Sequence, residues 1–274
     1  MLQRVDVTNS QNVTLSLPLG DPSNGYTVTI DGLDPVKATI VTSSFAGIDG
    51  TQEQSVRREA RNLVFHFGYE PDYATIDTTV TALRNQLYNF FMPKSVVTLR
   101  FYSDDKPELT LIGRVESFAN PLFAKDPTAT ISVMCTQPDF IPDAISVFNG
   151  NTVTDTTETV LTYNGTVDTG FIFRLPLTYA STGFTIYHRS AEDVLSSLQF
   201  NASLLSGDVV TISTVPGQKR GTLTRGGSDS SLLYAISSFS KWLTLTPGPN
   251  YIRVVQGGVA MPYSIQYSER YGAV

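Results

Sequence analysis

Residues 95–102 read SVVTLRFY, and this stretch contains the pattern that decides the fold. Apolar side chains occupy every second position, at Val97, Leu99 and Phe101. A two-residue period places these three side chains on one face of an extended chain, which is typical of a half-buried β-strand. The stretch therefore predicts one strand of a sheet that buries a single face.

The same pattern recurs on both sides of this stretch. Short runs rich in β-branched and aromatic residues are bounded by Asn-Gly, Asp-Gly and Gly-Gly pairs, which supply the positive φ of tight turns. The runs are YTVTI (26–30), NLVFHF (62–67), TATISVMC (128–135), DVVTIS (208–213), WLTLT (242–246), NYIRVV (250–255) and residues 262–268. Short strands at this spacing predict a mainly β fold made of sandwiches or barrels.

One segment, residues 75–92, breaks this pattern. Thr75 or Asp77 can cap its start, and Pro93 follows its end. Its apolar residues are spaced by three and four positions: Ile76, Val80, Leu83, Leu87 and Phe90. The spacing predicts one α-helix over about 75–92. We expect the apolar stripe to pack on the chain's own sheet, and a partner interface is the alternative.

Composition excludes several classes of protein. Only 16% of the 274 residues are charged, and the net charge is −6. An acidic balance disfavours nonspecific nucleic-acid binding, which needs a basic surface. One cysteine, Cys135, cannot form a disulfide framework within a chain, and with two histidines it does not make a usual structural zinc site. No apolar run is long enough to predict a membrane span.

A change in composition predicts a domain boundary. Residues 137–150 contain two prolines and an Asn-Gly turn. Residues 1–140 carry 16 acidic and 11 basic residues, a net charge of −5, whereas residues 141–274 carry 9 and 8, a net charge of −1. We therefore expect an N-terminal domain over 1–140 and a C-terminal domain over 141–274, with an exposed link between them.

Motifs for catalysis, cofactors or metals do not emerge from the sequence. There is no nucleophile elbow, phosphate-binding loop or dinucleotide fingerprint, and Cys135 lies in an alternating strand. His66 and His188 also fall in or next to strands. The adjacent acids Asp104-Asp105 and Glu192-Asp193 are interpreted as solvated turn residues. We expect no catalytic, cofactor-binding or metal-binding residue and no enzyme activity.

Two further features of the second half leave alternatives open. Residues 218–221 read QKRG and form its main basic cluster, which is interpreted as the tip of a hairpin, with phosphate binding as the alternative. Trp242 is the sole tryptophan. It can stack on a sugar ring or anchor the core, and alternation with Leu243 and Leu245 does not decide between the two.

Five short motifs, in order, resemble one known family. They are YTVTIDGL (26–33), RREARNLVFHFGY (57–69), LYNFFMP (87–93), GRVES (113–117) and TISVMCTQPDF (130–140). Their order is similar to the N-terminal domain of the distal tail proteins (Dit) of long-tailed siphophages. Residues 205–217, 231–233 and 242–254 resemble the galectin-like C-terminal β-sandwich of the same family in its short form. The chain departs from galectins at the sugar site, where only a fragment, His188-Arg189, is found.

The resemblance implies a function as well as a fold. It implies an N-terminal β-sandwich or barrel-like domain that forms a homohexameric ring, followed by a galectin-like β-sandwich. The ring would join the tail tube protein to the tail-associated fibre or hub protein at the virion's tail tip, with a central channel for DNA. Receptor-binding proteins are further implied partners, and assembly would take place in the host cytoplasm.

Two other classes of protein remain open from the residues alone. One is a carbohydrate-binding module that recognises the host surface, with Trp242 as the stacking platform. The other is a β-jelly-roll hydrolase that uses a pair of the scattered carboxylates.

Overall fold

The fold is described from a computed structural model, in which residues 1–47, 49–121 and 126–274 are described. The chain divides into two compact units. The first unit contains Met1–Asp143 together with Tyr271–Val274, and the second contains Ala144–Arg270.

The last four residues were assigned from the sequence to the second domain, but they lie in the first unit. Tyr271 forms an antiparallel bridge with Phe140, and both side chains are buried in the first unit's core. Tyr271 and the partly buried Val274 make this packing, and two residues are too few to form a period that the sequence could show. The boundary of independently folding domains stays a prediction.

The first unit contains one large antiparallel sheet and a separate two-stranded hairpin. Its strands are β1 (Leu2–Thr8), β2 (Thr14–Pro18), β3 (Tyr26–Asp31), β4 (Ala38–Ser43), β5 (Gln52–Arg58), β6 (Arg61–Tyr69), β7 (Val96–Ser103), β8 (Leu109–Ala119), β9 (Thr128–Cys135) and β10 (Ile141–Pro142). The sheet order is β2-β1-β7-β8-β9-β6-β3, with β10 paired to β8. Strands β4 and β5 pair only with each other among the described residues. Within the same range, β2 and β3 are edge strands, so the sheet does not close into a barrel.

Strand β6 shows how the sequence builds this core. Every second side chain of the strand is buried, from Arg61 through Leu63, Phe65 and Phe67 to Tyr69. The three apolar positions among these follow the two-residue period that the sequence shows. Arg61 is the exception, since a charged side chain occupies an inward position.

Helix α1 (Val80–Phe91), the one α-helix among the described residues, covers this face of the sheet. It is shorter than the predicted 75–92, because Thr79 caps it by accepting a hydrogen bond from the Ala82 amide at 3.2 Å. Ile76 therefore lies outside the helix and is 79% exposed. Leu83, Leu87 and Phe90 are buried in the unit's own core, as expected.

The second unit is a two-sheet sandwich. Its strands are β11 (Ser146–Asn151), β12 (Thr159–Tyr163), β13 (Ile172–Pro176), β14 (Ser181–Arg189), β15 (Leu195–Leu204), β16 (Val209–Ser213), β17 (Arg220–Arg225), β18 (Ser228–Ser231), β19 (Gly248–Val255) and β20 (Pro262–Tyr267). One sheet has the order β11-β20-β13-β16-β17-β18 and the other β12-β19-β14-β15. The predicted mainly β fold with one helix is thereby confirmed.

One predicted strand is wrong. Residues 242–246 form no ladder, and only Leu245 makes an isolated bridge, to Thr169. The alternation is nonetheless real, because Leu243 and Leu245 are buried while Trp242 and Thr244 are half-buried. A segment can therefore bury one face of an extended chain without pairing its backbone. Across the described ranges, no helix has the length and apolar character needed to cross a membrane.

Candidate functional site

The β4–β5 hairpin is the most exposed structured element of the first unit. Every residue of β5 is exposed, and β4 buries none of its residues. Ile40 and Val56 are directly opposed across the two strands and are 57% and 50% exposed. Directly opposed residues share a face, so the pair forms an apolar spot on the surface.

One further exposed apolar residue lies on the opposite face of the hairpin and another lies in its loop. Val41 follows Ile40 in the strand and therefore points to the other face, where it is also exposed. Phe45, in the loop between the strands, is exposed as well. A lone two-stranded hairpin is only marginally stable in water, and exposed apolar patches mark interaction sites. This hairpin is the candidate assembly surface.

An ion pair fixes the base of the hairpin to the first unit. Arg58, the last residue of β5, forms a two-pronged pair with Asp139, in which Nη2 donates to Oδ2 at 2.7 Å. The Asp139 carboxylate is almost fully buried. Just outside the two strands, the carbonyl of Lys37 accepts a hydrogen bond from the amide of Glu59 at 2.9 Å. Two-pronged pairs fix direction as well as distance, so the hairpin leaves the unit at a set angle.

Arg61 connects the segments that meet below the hairpin. Its guanidinium is fully buried and donates to four backbone carbonyls. Nε donates to Pro138 at 2.7 Å, Nη1 to Asp34 at 2.7 Å and to Gly32, and Nη2 to Gly272 at 2.6 Å.

The environment of Arg61 explains why this buried cation is tolerated. Burial lowers the pKa of Arg61 below its usual value, because desolvation disfavours the charged form. The four carbonyl oxygens replace the lost water, and the guanidinium lies 4.4 Å from the centre of the Phe140 ring. Arg61, which follows β5, therefore links three segments of the first unit. They are the residues that lead to β4 (Gly32 and Asp34), Pro138, and Gly272.

Gly32 makes the close packing at this base possible. Its φ is +89°, in the region that favours glycine, and a Cβ there would lie 2.1 Å from the Asn62 carbonyl oxygen. The glycine of the Asp31-Gly32 pair, which belongs to a motif that resembles the family, is therefore required by the backbone in the segment that leads to the hairpin.

Cys135 is also close to this base, and it is a structural residue. It is fully buried, and burial raises its pKa to about 12. A thiol with such a pKa is protonated at neutral pH and does not act as a nucleophile.

The two histidines lie in different units. In the first, His66 contacts Asp31, with Nε2 and Oδ2 3.1 Å apart, on the exposed face of the sheet. In the second, His188 is buried, and its Nε2 lies 2.8 Å from Asn250 Oδ1. Burial lowers the pKa of His188, so its ring is neutral at neutral pH.

The adjacent acids are not arranged as opposed pairs across a cleft. Asp104 and Asp105 lie in an exposed bend, 3.4 and 3.6 Å from the terminal amine of Met1. Asp193 pairs with Arg189 at 3.0 Å, while Glu192 is exposed. Within the described ranges, no group of three or more His, Cys, Asp or Glu side chains could hold a metal ion.

Trp242 is half-buried and lines a cleft of about 200 Å³ in the second unit. The ammonium of Lys219 lies 5.7 Å from the centre of its ring. Lys219 itself lies in the connection between β16 and β17, which is the hairpin tip that the sequence predicts. Trp242 thus contributes to the core and also faces a cleft.

Sequence reasoning missed the β4–β5 hairpin and the role of Arg61. The hairpin did leave a signal, because Asp49-Gly50 separates a β-branched run at 39–42 from a second extended segment. The hydrogen-bond partners of Arg61 have no signal in the sequence, because they are backbone atoms of residues far away along the chain.

Comparison with known proteins finds a matching family and similar folds. Residues 164–271 match the family described as "Siphovirus-type tail component, C-terminal domain". None of the curated proteins matches the sequence significantly.

Solved structures extend the comparison to the whole chain. The crystal structure of the Dit protein (gp 19.1) of phage SPP1, described as a paradigm of the hub adsorption apparatus in phages infecting Gram-positive bacteria, aligns with a TM-score of 0.63 and 17% identity. The alignment covers 97% of this chain and 98% of that one. A chain of the phage P2 baseplate in its activated, calcium-bound conformation aligns over 97% of this chain and 98% of its own, at 10% identity and a TM-score of 0.42.

These findings agree with the resemblance seen in the sequence: residues 164–271 match a siphovirus tail-component family, and the chain shares the fold of the SPP1 Dit protein.

Proposed function

We propose that this chain, with the fold of a siphophage distal tail protein, assembles into a closed ring of six copies at the tail tip. The ring joins the tail tube protein to the tail-associated fibre or hub protein and leaves a central channel for DNA. Its role is structural rather than enzymatic, and it reaches the virion by assembly in the host cytoplasm. The number six comes from the family resemblance.

The β4–β5 hairpin is the observation that carries the proposal. It presents apolar side chains on both faces, and its outer strand edges are unpaired among the described residues. Such an element gains stability when it lies on another surface. A contact between unlike patches of identical copies closes into a ring if the rotation between copies is suitable. We therefore propose that the hairpin of each copy contacts the next copy in the ring.

A charge-paired variant of the hairpin tests this assignment. In the double variant Ile40→Lys with Val56→Glu, opposite charges still face each other across the hairpin, but the apolar spot is gone. We expect a folded monomer by light scattering, with a melting temperature within a few degrees of the unchanged protein.

The matched control is Ile112→Lys, which places a charge at an apolar residue of β8 that is equally exposed but outside the hairpin. This variant should still form the ring. A ring that survives the hairpin double variant would show that another surface makes the contact.

Charge predicts how the ring responds to salt. The first unit carries 17 acidic and 11 basic residues and the second 8 of each, so the first unit carries the whole net charge of −6. Six copies bring 6 × −6 = −36 together. Salt screens such repulsion over a Debye length of about 10 Å at 0.1 M. We expect light scattering to show stronger assembly from about 10 to 150 mM salt. A ring that dissociates over this range would instead be held by exposed ion pairs.

A further inference from the structure

The cleft at Trp242, named here the Trp242 cleft, has an aromatic wall and a mixed lining, in which Val194 and Leu243 are the other apolar residues. Its volume of about 200 Å³ is small compared with pockets for drug-sized ligands, which hold roughly 300–1,000 Å³. The side chains that line it around Trp242 include Ser190, Glu192, Ser196 and Thr244. Its size suits one small ring with polar substituents.

The floor of the cleft is held in place by buried hydrogen bonds. His188 lies there, and its ring is fixed by Asn250. Asn250 is fully buried and also holds the segment that follows Trp242, because its Oδ1 accepts from the Thr246 amide at 3.0 Å. The tryptophan wall and the floor are thus tied to the same amide side chain.

The rim formed by residues 190–194 is fixed as well. The Asp193 amide donates to the Ser190 carbonyl at 3.0 Å, which closes a turn. Arg189 lies 4.0 Å from the centre of the Tyr251 ring and pairs with both Glu158 and Asp193. A cleft that already has its shape loses little conformational entropy when a ligand binds.

Three polar groups in this cleft have no partner among the described residues. The hydroxyls of Ser196 and Thr244 and the carboxylate of Glu192 make no hydrogen bond or ion pair with any residue that the structure describes. Two hydroxyls can donate or accept, and a carboxylate accepts. Together with the Lys219 ammonium near the indole, they offer both donors and acceptors around one aromatic ring.

We propose that the Trp242 cleft binds one saccharide unit of a surface glycan. The apolar face of the sugar ring packs on the indole, and the sugar hydroxyls bond to Ser196, Thr244 and Glu192. A purely apolar ligand would leave these groups unsatisfied, and a phosphate would be repelled by the Glu192 carboxylate. The proposal does not depend on ring formation.

The sole tryptophan makes a direct test available, since all tryptophan fluorescence reports on this cleft. The full chain is titrated with glucose, galactose, N-acetylglucosamine and rhamnose, each up to about 100 mM. We expect a saturable change in emission with at least one of them, with a Kd in the millimolar range, which corresponds to about −4 kcal/mol. The same titration of free N-acetyltryptophanamide corrects for solvent effects.

Variants that keep the tryptophan complete the test. Thr244→Val preserves side-chain volume, and Ser196→Ala removes one hydroxyl; combined, they should weaken binding at least tenfold. Phe239→Ala is the control, because this aromatic residue is 93% exposed and does not line the cleft. Absence of any saturable change, equal binding by the double variant, or saturation by inorganic phosphate alone would each overturn the proposal.

Discussion

Replacing Arg61 by alanine is expected to lower the free energy of unfolding of the first unit by about 4 kcal/mol or more. The substitution leaves four backbone carbonyls without their donor. A buried polar group that loses its partner costs about 1–3 kcal/mol. Arg61→Lys should recover little of the loss, because one ammonium cannot reach acceptors in the directions that the planar guanidinium spans.

Two intrinsic probes separate the units in this measurement. Cys135 is the only cysteine and is buried in the first unit, whereas Trp242 is the only tryptophan and lies in the second. Along a urea series, thiol labelling should shift to lower denaturant in Arg61→Ala, while tryptophan emission keeps its midpoint. Equal shifts of both probes would contradict independent folding of the two units.

The control for Arg61 is Arg57→Ala. Arg57 is exposed on β5 and makes no ion pair with the described residues. We expect its replacement to change the free energy of unfolding by less than about 0.5 kcal/mol, as for ordinary surface positions. A similar loss in both variants would mean that positive charge, rather than the buried hydrogen bonds, stabilises the unit.

Replacing Phe91 by alanine is the second large change, with an expected loss of about 3–5 kcal/mol. Phe91 ends helix α1 and is fully buried, with its ring centre 5.6 Å from that of Phe65 and 5.8 Å from that of Phe67. Its removal leaves a cavity between helix and sheet. Thiol labelling of Cys135 under denaturant again measures the loss.

Asn85→Ala is the matched control on the exposed side of the same helix. Because alanine has the higher helix propensity, this variant should be neutral or slightly more stable. If Phe91→Ala left stability unchanged but abolished assembly, the helix would be an interface element rather than part of the core.

The sequence predicts those features of the fold that depend on local period. The two-residue alternation in β6, β7 and β9 and the helical spacing around Leu83 and Leu87 both survive in the structure. Each pattern exists because one face of the element is buried. The buried positions are therefore apolar at regular intervals along the sequence. The start of the helix was misplaced because Ile76 fits the spacing but precedes the Thr79 cap.

The candidate assembly surface and the buried Arg61 below it could not be predicted in the same way. Arg61 was noted only as part of a resemblance, and its acceptors lie 27 to 211 residues away. They are backbone carbonyl groups, which every residue has, so the type of residue does not indicate which carbonyls bind Arg61. The hairpin is exposed on both faces and has no inward side to produce a strict alternation.

Electron microscopy of the purified full chain tests the central claim most directly. We expect closed rings of six copies, about 6 × 29.9 = 179 kDa in mass, with an open centre and with each β4–β5 hairpin lying on the neighbouring copy. Monomers at all concentrations up to tens of micromolar, open filaments, or rings whose hairpins point away from every neighbour would contradict it.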